Sequence, residues 1–369
     1  MAQRTKPPFR ADHVGSLLRP KTLLDAREKW KTGALSQAAL AKLEDAAIRD
    51  AVRTQEAVGL QGITDGEMRR DSWHMDFMLS FEGMRPTDDP VAVPFSHGVD
   101  YANHRAVVHG KIRYPERGIM REHFAFLKTA TRRTAKFTVP APTMYYHSIL
   151  GKLYDAKTYP DADMLWSDLA AGYNAFVKDF AALGCTYLQL DDVFTATLCD
   201  PKTRARVKSM GGDADAALAL FIDAINAAVA GRPKDMAITV HMCRGNYMSE
   251  YMTEGGYDAI AERYLAETDV DGFFMEYDDE RSGDFKPLRF LPKGKLAVLG
   301  IVTSKFGKLE SKDELKRRIE DASRYAAIEQ LCLSPQCGFA STHHGNKVSA
   351  DDQRRKLARI VEVAEEVWG

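Results

Sequence analysis

The alternation of short apolar runs with longer amphipathic segments constrains the fold of this chain most. The runs are rich in β-branched residues and predict strands, whereas the segments between them have helical spacing. Repeated strand–helix units build parallel sheets, and eight of them close a barrel. The eight runs are FRADHVGS (9–16), GITDGE (62–67), KFTVPAPT (136–143), CTYLQLDD (185–192), MAITVHMC (236–243), GFFMEYD (272–278), KLAVLGIV (295–302) and QLCLSPQC (330–337). The sequence therefore predicts an α/β protein of the (β/α)8, or TIM, barrel class.

The helical segments and the chain length indicate one domain, residues 1–369. No linker composition or solenoid repeat divides the chain, and 369 residues suit one barrel with an insertion. The sequence SKDE (311–314) has the pattern of a capping box. We expect residues 68–135 to form an irregular insertion that covers the site or mediates contact in a homodimer. The predicted helices are 36–58, 161–183, 214–230, 256–267, 312–329 and 350–367.

Charge and composition exclude several classes of partner. Lys and Arg number 51 against 52 Asp and Glu, so the net charge of −1 gives no broad basic field for nucleic acid or membrane. The most basic stretch, residues 121–137, has helical spacing and predicts a solvated helix face rather than an anion site. No run approaches the roughly 18 apolar residues of a membrane span, and no secretory signal is recognisable. We expect a cytoplasmic protein whose five cysteines are reduced.

Residues with ligand chemistry stand at the ends of the predicted strands. In a barrel these ends build the active-site face. His241 and Cys243 are two apart in a strand, so their side chains share a face. With Glu276 and Cys337 they offer the N, S and O ligands of tetrahedral zinc. Taken singly, each has a simpler explanation, such as a buried thiol, a core histidine or a salt bridge from Glu276 to Arg281, but together they predict a zinc site.

A zinc site at a barrel mouth predicts thiol chemistry. Four protein ligands are typical of structural zinc, yet a structural site has little reason to be assembled from distant strands. A thiol substrate could displace a weaker oxygen ligand, Glu276 or a water, and bind as a thiolate. Free thiols have a pKa of about 8.5, and zinc deprotonates a coordinated thiol. We therefore expect alkyl transfer from a small-molecule donor to a small-molecule thiol.

Six motifs resemble the catalytic barrel of cobalamin-independent methionine synthase, among its short, single-barrel relatives. They are HVGSLLRP (13–20), ITDGEMRRDSW (63–73), LQLDDV (188–193), HMC (241–243), MEYD (275–278) and SPQCG (334–338). The resemblance implies a (β/α)8 barrel, with zinc held by His241, Cys243, Glu276 and Cys337.

The resemblance also implies a pocket for homocysteine. Gly15 and Ser16 would hold its carboxylate, and Glu67 and Asp191 would hold its ammonium, which requires anionic partners. Glu67 alone could instead pair with Arg69 or Arg70.

Two segments depart from the family pattern and concern the methyl donor. The family has a tryptophan that stacks the pteridine of methyl-tetrahydrofolate in a TMLNWS-like segment, where this chain reads TMYYHS (143–148) with His147 in its place. Tyr145 or Tyr146 could stack instead. The family also has a catalytic histidine in a GVYDIH-like segment, and here GIVTSK (300–305) puts Lys305 there. The donor is therefore 5-methyltetrahydrofolate or a simpler molecule.

The acid that assists departure of the donor is Lys305, His147 or Asp192. A lysine near its ordinary pKa of about 10.4 is a poor acid at neutral pH. Arg244, directly after Cys243, could clamp an anionic substrate group or form a salt bridge. Trp73 is expected in the core.

The rival interpretations differ in substrate or in class. An epoxyalkane:coenzyme M transferase would keep the zinc but favour arginines over Glu67 and Asp191. A lyase of the uroporphyrinogen decarboxylase type needs no metal. A zinc-stabilised scaffold would unfold on chelation and would ignore added thiols. Acceptor selectivity, zinc content and the effect of Cys337→Ser separate these possibilities.

Overall fold

A curled parallel sheet forms the centre of the molecule. The computed structural model describes residues 4–369. The strands are β1 (Gly62–Ile63), β2 (Glu82–Pro86), β3 (Val91–Pro94), β4 (Asp100–Asn103), β5 (Ala106–Arg113), β6 (Thr134–Pro140), β7 (Tyr187–Asp192), β8 (Ala237–Met242), β9 (Gly272–Glu276), β10 (Leu296–Val302) and β11 (Leu331–Pro335). Seven of them lie in the order β1-β6-β7-β8-β9-β10-β11, with all neighbours parallel. The predicted α/β class is confirmed as a curled sheet of TIM-barrel-like form.

The first predicted run, residues 9–16, forms a single bridge instead of a strand. Ala11 bridges Leu333 of β11 in parallel, and the N–H of Asp12 donates to the Leu333 carbonyl at 3.0 Å. The Asp12 carboxylate accepts a hydrogen bond from the N–H of His13 at 2.8 Å. Because this donor is satisfied locally, the backbone does not continue a ladder.

Side-chain hydrogen bonds also shorten β1, which was predicted to extend to residue 67. Gln55 bonds both the N–H and the carbonyl of Thr64, at 2.8 and 2.9 Å. The Thr64 hydroxyl donates to the carbonyl of Gly15 at 2.6 Å. Residues 9–16 therefore lie between the two outer strands of the curled sheet, β11 and β1.

Helices follow most of the strands. They are α1 (Lys21–Lys31), α2 (Gln37–Ala57), α3 (Met75–Met78), α4 (Arg121–Ala130), α5 (Tyr146–Leu150), α6 (Ala162–Ala182), α7 (Val193–Thr197), α8 (Pro201–Ser209), α9 (Ala214–Val229), α10 (Ala261–Glu267), α11 (Lys312–Ser323) and α12 (Ala350–Trp368). The predicted helix at 256–267 begins with a 3-10 turn, and the one at 312–329 ends six residues early. Within residues 4–369 no helix is long and apolar enough to cross a membrane.

The reciprocal capping box occurs at α12 and not at α11. Ser311 accepts the N–H of Glu314, which is half of the predicted box. At α12 the Ser349 hydroxyl accepts the N–H of Asp352, and the Asp352 carboxylate accepts the N–H of Ser349, each at 3.1 Å. Asp352, at the third helical position of α12, thus completes a reciprocal capping box there, whereas the sequence pattern predicted one at α11.

Residues 68–135 are more regular than predicted. They contain α3, α4 and two antiparallel strand pairs, β2 with β5 and β3 with β4. The basic stretch 121–137 is helical only as far as Ala130, because Thr131 is extended and β6 begins at Thr134. Phe124 and Leu127 are the buried residues of this helix.

A buried polar network closes the amino-terminal end of the sheet. Lys136, at the start of β6, donates to Asp12 at 3.0 Å, and Tyr187, at the start of β7, donates to the same carboxylate at 2.8 Å. All three side chains are fully buried. The Lys136 ammonium also lies 4.0 Å from the centre of the Phe274 ring. Burial lowers the pKa of Lys136, although Asp12 opposes this effect.

Candidate metal centre and substrate cavity

Four side chains with ligand chemistry meet at the carboxyl-terminal end of the sheet. His241 lies in β8, Cys243 directly follows it, Glu276 ends β9, and Cys337 lies two residues after β11. Their ligand atoms all lie within 4.8 Å of one another, and all four residues are buried. The sulfur atoms of the two cysteines are 3.6 Å apart. The parallel register of the strands therefore assembles the predicted set.

The donor set fits zinc. Tetrahedral zinc with bonds of about 2.0–2.3 Å separates its ligands by roughly 3.4–3.8 Å, close to the sulfur–sulfur distance found. Both ring nitrogens of His241 are buried without a hydrogen-bond partner among the described residues, and buried polar atoms normally have one. A hydrogen bond from the Cys243 thiol lowers the pKa of Cys337 well below its ordinary value, against the effect of burial. These features suit a cation bound by a thiolate.

The carboxylate of Glu276 is held from two sides. One oxygen accepts the backbone N–H of Arg244 at 3.0 Å, and the other accepts the Arg281 guanidinium at 3.1 Å. Arg281 is itself fixed by Asp278 at 3.0 Å. Such partners orient a ligand and tune its affinity for metal.

The side chain of Arg244 is occupied within the protein wall. Its guanidinium donates to the Tyr257 hydroxyl at 2.7 Å and to the Gly255 carbonyl at 2.6 Å, and it is fully buried. Arg244 does not line the cavity that opens onto the four ligand side chains. Its contribution to the site is the backbone N–H that binds Glu276.

A cavity of about 290 Å³ opens onto this cluster. His241, Cys243 and Cys337 form part of its wall, so three of the four candidate ligands face the open space. The other predicted residues that line it are Ser16, Glu67, Asp191 and His147.

Glu67 has one free oxygen and a constrained backbone. Its φ of 59° lies in the left-handed region, which is uncommon for a residue other than glycine and occurs often at functional sites. The Thr138 hydroxyl donates to one carboxylate oxygen at 2.8 Å, and Arg70 lies 3.5 Å from the same oxygen. The second oxygen is buried and has no partner within residues 4–369. It is available to a cationic ligand.

Asp191 is the second acid beside the cluster. Gln189 donates to it at 2.7 Å, and only 6% of the residue is exposed. Burial raises the pKa of Asp191 to about 7; His241 lowers it and the Glu67 carboxylate raises it. An ammonium group between the two acids would favour their ionised forms.

Gly338 leaves room for the side chain of Ser16, and Gly15 leaves room for Thr138, the hydrogen-bond partner of Glu67. Gly15 has a φ of +145°, and a Cβ there would lie 2.7 Å from the Thr138 side chain. A Cβ on Gly338 would lie 1.9 Å from the Ser16 hydroxyl oxygen. Larger residues at either position would displace side chains of the pocket.

The three acid candidates have different surroundings. His147 lines the cavity. Lys305 does not, and its ammonium donates to Asp278 at 2.8 Å while only 3% of the residue is exposed. Asp192 is buried outside the cavity wall, where it accepts hydrogen bonds from Thr143 at 2.7 Å and Tyr264 at 2.5 Å.

The tyrosines considered for stacking point elsewhere. Tyr146 packs edge-on against Phe221, with ring centres 4.9 Å apart. Tyr145 is buried and donates to the Met78 carbonyl at 3.2 Å. Neither lines the cavity.

Several lining residues were not predicted from the sequence. Trp73 lines the cavity and packs against Cys243 and Cys337, although it was expected in the core. Its place at the end of the ITDGEMRRDSW motif was the available signal. Other such residues are Val93, Phe95, Arg105, Met144, Phe194 and Arg206. Met144 and Phe194 come just after the predicted runs 136–143 and 185–192, whereas the other four belong to segments in which no strand was predicted.

Comparison with known proteins places this architecture in a family. Residues 9–366 match the family described as "Cobalamin-independent synthase, Catalytic domain". The chain is 41% identical to the uncharacterized protein YxjH of Bacillus subtilis (strain 168), over 99% of this chain and 96% of the relative. It is 27% identical to a methionine synthase of Pyrococcus abyssi (strain GE5 / Orsay), over 88% and 85% of the two chains.

A solved structure extends the similarity to three dimensions. It is that of a Listeria monocytogenes protein proposed to be a vitamin-B12-independent methionine synthase. The two chains superpose with a TM-score of 0.79 at 33% identity, covering 99% of this chain and 100% of the other. The family match covers nearly the whole chain, and the curled sheet and the His-Cys-Glu-Cys cluster are consistent with it. The chain therefore belongs to the cobalamin-independent methionine synthase family, through its catalytic domain.

Proposed function

We propose that this protein is a zinc-dependent methyltransferase that methylates the sulfur of homocysteine and forms methionine. The observation that carries the proposal is the cluster of His241, Cys243, Glu276 and Cys337 at one end of a cavity that also contains two buried acids. When zinc is bound by these side chains, it supplies a Lewis acid that makes a thiol nucleophilic at neutral pH. The methyl donor is 5-methyltetrahydrofolate or a simpler molecule.

The acceptor would be held by its two charged groups. Glu67, through its free oxygen, and Asp191 would bind the ammonium, since both are buried and anionic partners suit a cation. The hydroxyl of Ser16 and the backbone around Gly15 would bind the carboxylate. This arrangement would place the sulfur near Cys243 and Cys337 and would keep water from it.

His147 is our candidate for the proton donor to the leaving group. It lines the cavity, whereas Lys305 and Asp192 are paired outside it. Burial, together with Arg206 and Arg105, lowers the pKa of His147 to about 4 in the free protein. A bound donor would have to raise that pKa for His147 to act as an acid.

We extend the proposal to the architecture. Residues 9–16 would serve as the eighth member of a closed (β/α)8 barrel, since they bridge β11 and contact the chain after β1. The chain would be a single cytoplasmic domain of residues 1–369, and residues 68–135 would be an insertion that covers the cavity. An association of this chain as a homodimer is also proposed, through the same insertion.

The first test is methionine formation by zinc-loaded protein given homocysteine and 5-methyltetrahydrofolate, in mono- and triglutamyl forms. We expect one zinc per chain and turnover with at least one form. Cys337→Ser should lose the zinc and the turnover. The matched control Cys332→Ser should keep its zinc, because Cys332 lies outside the cluster. No turnover, with homocysteine still altering the zinc spectrum, would mean another donor; a folded protein without stoichiometric zinc would contradict the proposal.

A second candidate function is epoxide opening by a sulfonate thiol. The observation in its favour is the presence of Arg105 and Arg206 in the cavity wall. Against it stand Glu67 and Asp191, which would repel a sulfonate near the cluster. Preference for 2-mercaptoethanesulfonate over homocysteine as the thiol would establish this function instead.

A further inference from the structure

Two arginines in the cavity wall have no anionic partner within residues 4–369. Arg105 lies in the turn between β4 and β5, and Arg206 lies in α8. Neither guanidinium has an ion pair or a hydrogen bond to any described residue, although Arg204, two residues before Arg206, pairs with Asp215 at 2.6 Å. Arginines that line a cavity without a carboxylate are suited to bind an anion.

These arginines lie at the outer end of the cavity. Arg206 is exposed and Arg105 is half-buried, whereas Glu67 and Asp191 are only 4% and 6% exposed. Glu67 and Asp191 are the only acids in the wall among residues 4–369. The cavity is therefore negative at its deep end, beside the metal cluster, and positive near solvent.

The two arginines and His147 line the same cavity, and their charges interact there. Burial lowers the pKa of Arg105, and the charge of Arg206 lowers it further. Both arginines also lower the pKa of His147, again after burial. These three side chains thus share one region of the wall, and a bound anion there would offset charges that now repel.

The cavity wall also contains large apolar side chains. Val93, Phe95, Met144 and Phe194 belong to it, together with polar residues such as Asn103 and Thr203. The His147 and Phe194 rings are in edge-to-face contact, with centres 4.3 Å apart. A ligand that fits has an apolar or aromatic body and an anionic end.

We propose that Arg105 and Arg206 form an anion-binding subsite, which holds a carboxylate or phosphate of the alkyl donor while the thiol acceptor occupies the deep end. This inference rests on the proposed function, because it assigns the second substrate of the same site. The acceptor favours the deep end, because Glu67 and Asp191 attract its ammonium and the two arginines repel it. The anionic end of the donor favours the subsite, because Glu67 and Asp191 repel it from the deep end.

Equilibrium binding to the zinc-loaded protein tests the subsite without requiring turnover. The probes are 5-methyltetrahydrofolate, inorganic phosphate, homocysteine and 2-mercaptoethanesulfonate, each titrated against the natural chain, Arg105→Gln and Arg206→Gln. We expect each variant to bind 5-methyltetrahydrofolate and phosphate about tenfold more weakly, because a hydrogen bond to a charged group is lost. Homocysteine affinity should change less than twofold.

Two controls keep the test specific. Arg204→Gln removes a charge from the same helix outside the cavity and should leave all affinities unchanged. Arg206→Lys keeps the charge and should recover most of the loss. Equal thermal unfolding temperatures would show that the variants fold.

Each outcome bears on the subsite. Arginine-dependent binding of phosphate without 5-methyltetrahydrofolate would support it and would indicate a smaller anionic donor. Unchanged affinities in both glutamine variants, or no binding of either anion at millimolar concentration, would overturn it. Arginine-dependent binding of 2-mercaptoethanesulfonate in place of homocysteine would overturn it too, by assigning the arginines to the acceptor. A lack of homocysteine binding with anion binding intact would contradict the proposed function alone.

Discussion

Buried polar groups are paired at one end of the sheet and partly unpaired at the other. At the amino-terminal end, Asp12 accepts hydrogen bonds from Lys136, Tyr187 and two backbone N–H groups, and Lys136 also donates to the His13 carbonyl. At the carboxyl-terminal end, both nitrogens of His241 and one oxygen of Glu67 are buried without a partner among the described residues. Leaving a buried polar group unpaired costs about 1–3 kcal/mol, so such groups are expected where a ligand will pair them. The first end is built to stabilise the fold, and the second leaves polar groups unpaired for the ligands proposed above.

The largest effect should come from breaking the satisfied end. Lys136→Met leaves the Asp12 carboxylate buried without its cation, and we expect the free energy of unfolding to fall by about 3–5 kcal/mol. Urea denaturation monitored by circular dichroism measures it. The double variant Asp12→Asn, Lys136→Met should recover part of the loss because no charge is then stranded. A loss below about 1 kcal/mol in the single variant would show that the network is not a stabilising element.

The opposite result is expected at the unsatisfied end. Glu67→Gln keeps an acceptor for the Thr138 hydroxyl but removes the anion 3.5 Å from the Arg70 guanidinium. Because Arg70 still donates to the carbonyls of Trp73 and Thr138, stability should fall by less than in Lys136→Met. Homocysteine should bind about 10- to 100-fold more weakly, because a charge-assisted hydrogen bond to its ammonium is lost. Isothermal titration calorimetry on zinc-loaded protein measures this, with Glu82→Gln as the control on an exposed strand. Equal homocysteine affinity in Glu67→Gln would remove Glu67 from the acceptor pocket.

A smaller effect should follow from loosening a support of the metal cluster. Arg281→Lys replaces a planar guanidinium that spans Glu276 and Asp278 with a single ammonium group. We expect zinc affinity to fall about tenfold, as is usual when a ligand loses its hydrogen-bonded partner. Competition with a chromophoric chelator measures it, and Arg289→Lys on the surface is the control. An unchanged affinity would mean that the Arg244 N–H alone orients Glu276.

Patterns that are local in sequence were sufficient to predict much of the fold. The run at 295–302 became β10 because uninterrupted apolar residues suit a strand buried on both faces. The run at 185–192 became β7, which is also buried along its whole length. The run at 9–16 did not, because the Asp12 carboxylate binds backbone N–H groups that a ladder would need. Which donors a side chain takes depends on tertiary contacts, and these are not visible in a period-two pattern.

The same distinction applies to the site. His241 and Cys243 could be paired from the sequence because two residues in one strand share a face. Of the three acid candidates, His147 lines the cavity, whereas Lys305 and Asp192 are held outside it by Asp278 and Thr143. These partners are remote in sequence, so the difference could not be predicted. Trp73 and Arg105 reach the cavity from irregular segments, for which no periodicity fixes the direction of a side chain, and Arg206 reaches it from α8, a helix that the sequence did not predict. Only the assembled structure shows that they face the same space.

The short distance between Cys243 and Cys337 has a consequence for the handling of this protein. Their sulfurs are 3.6 Å apart, and a disulfide requires about 2.05 Å, so a small movement would allow a bond. A metal bound between them would occupy both thiolates and protect them from oxidants such as hydrogen peroxide. Protein purified in chelators should therefore lose activity by reversible oxidation, and a reductant followed by zinc should restore it.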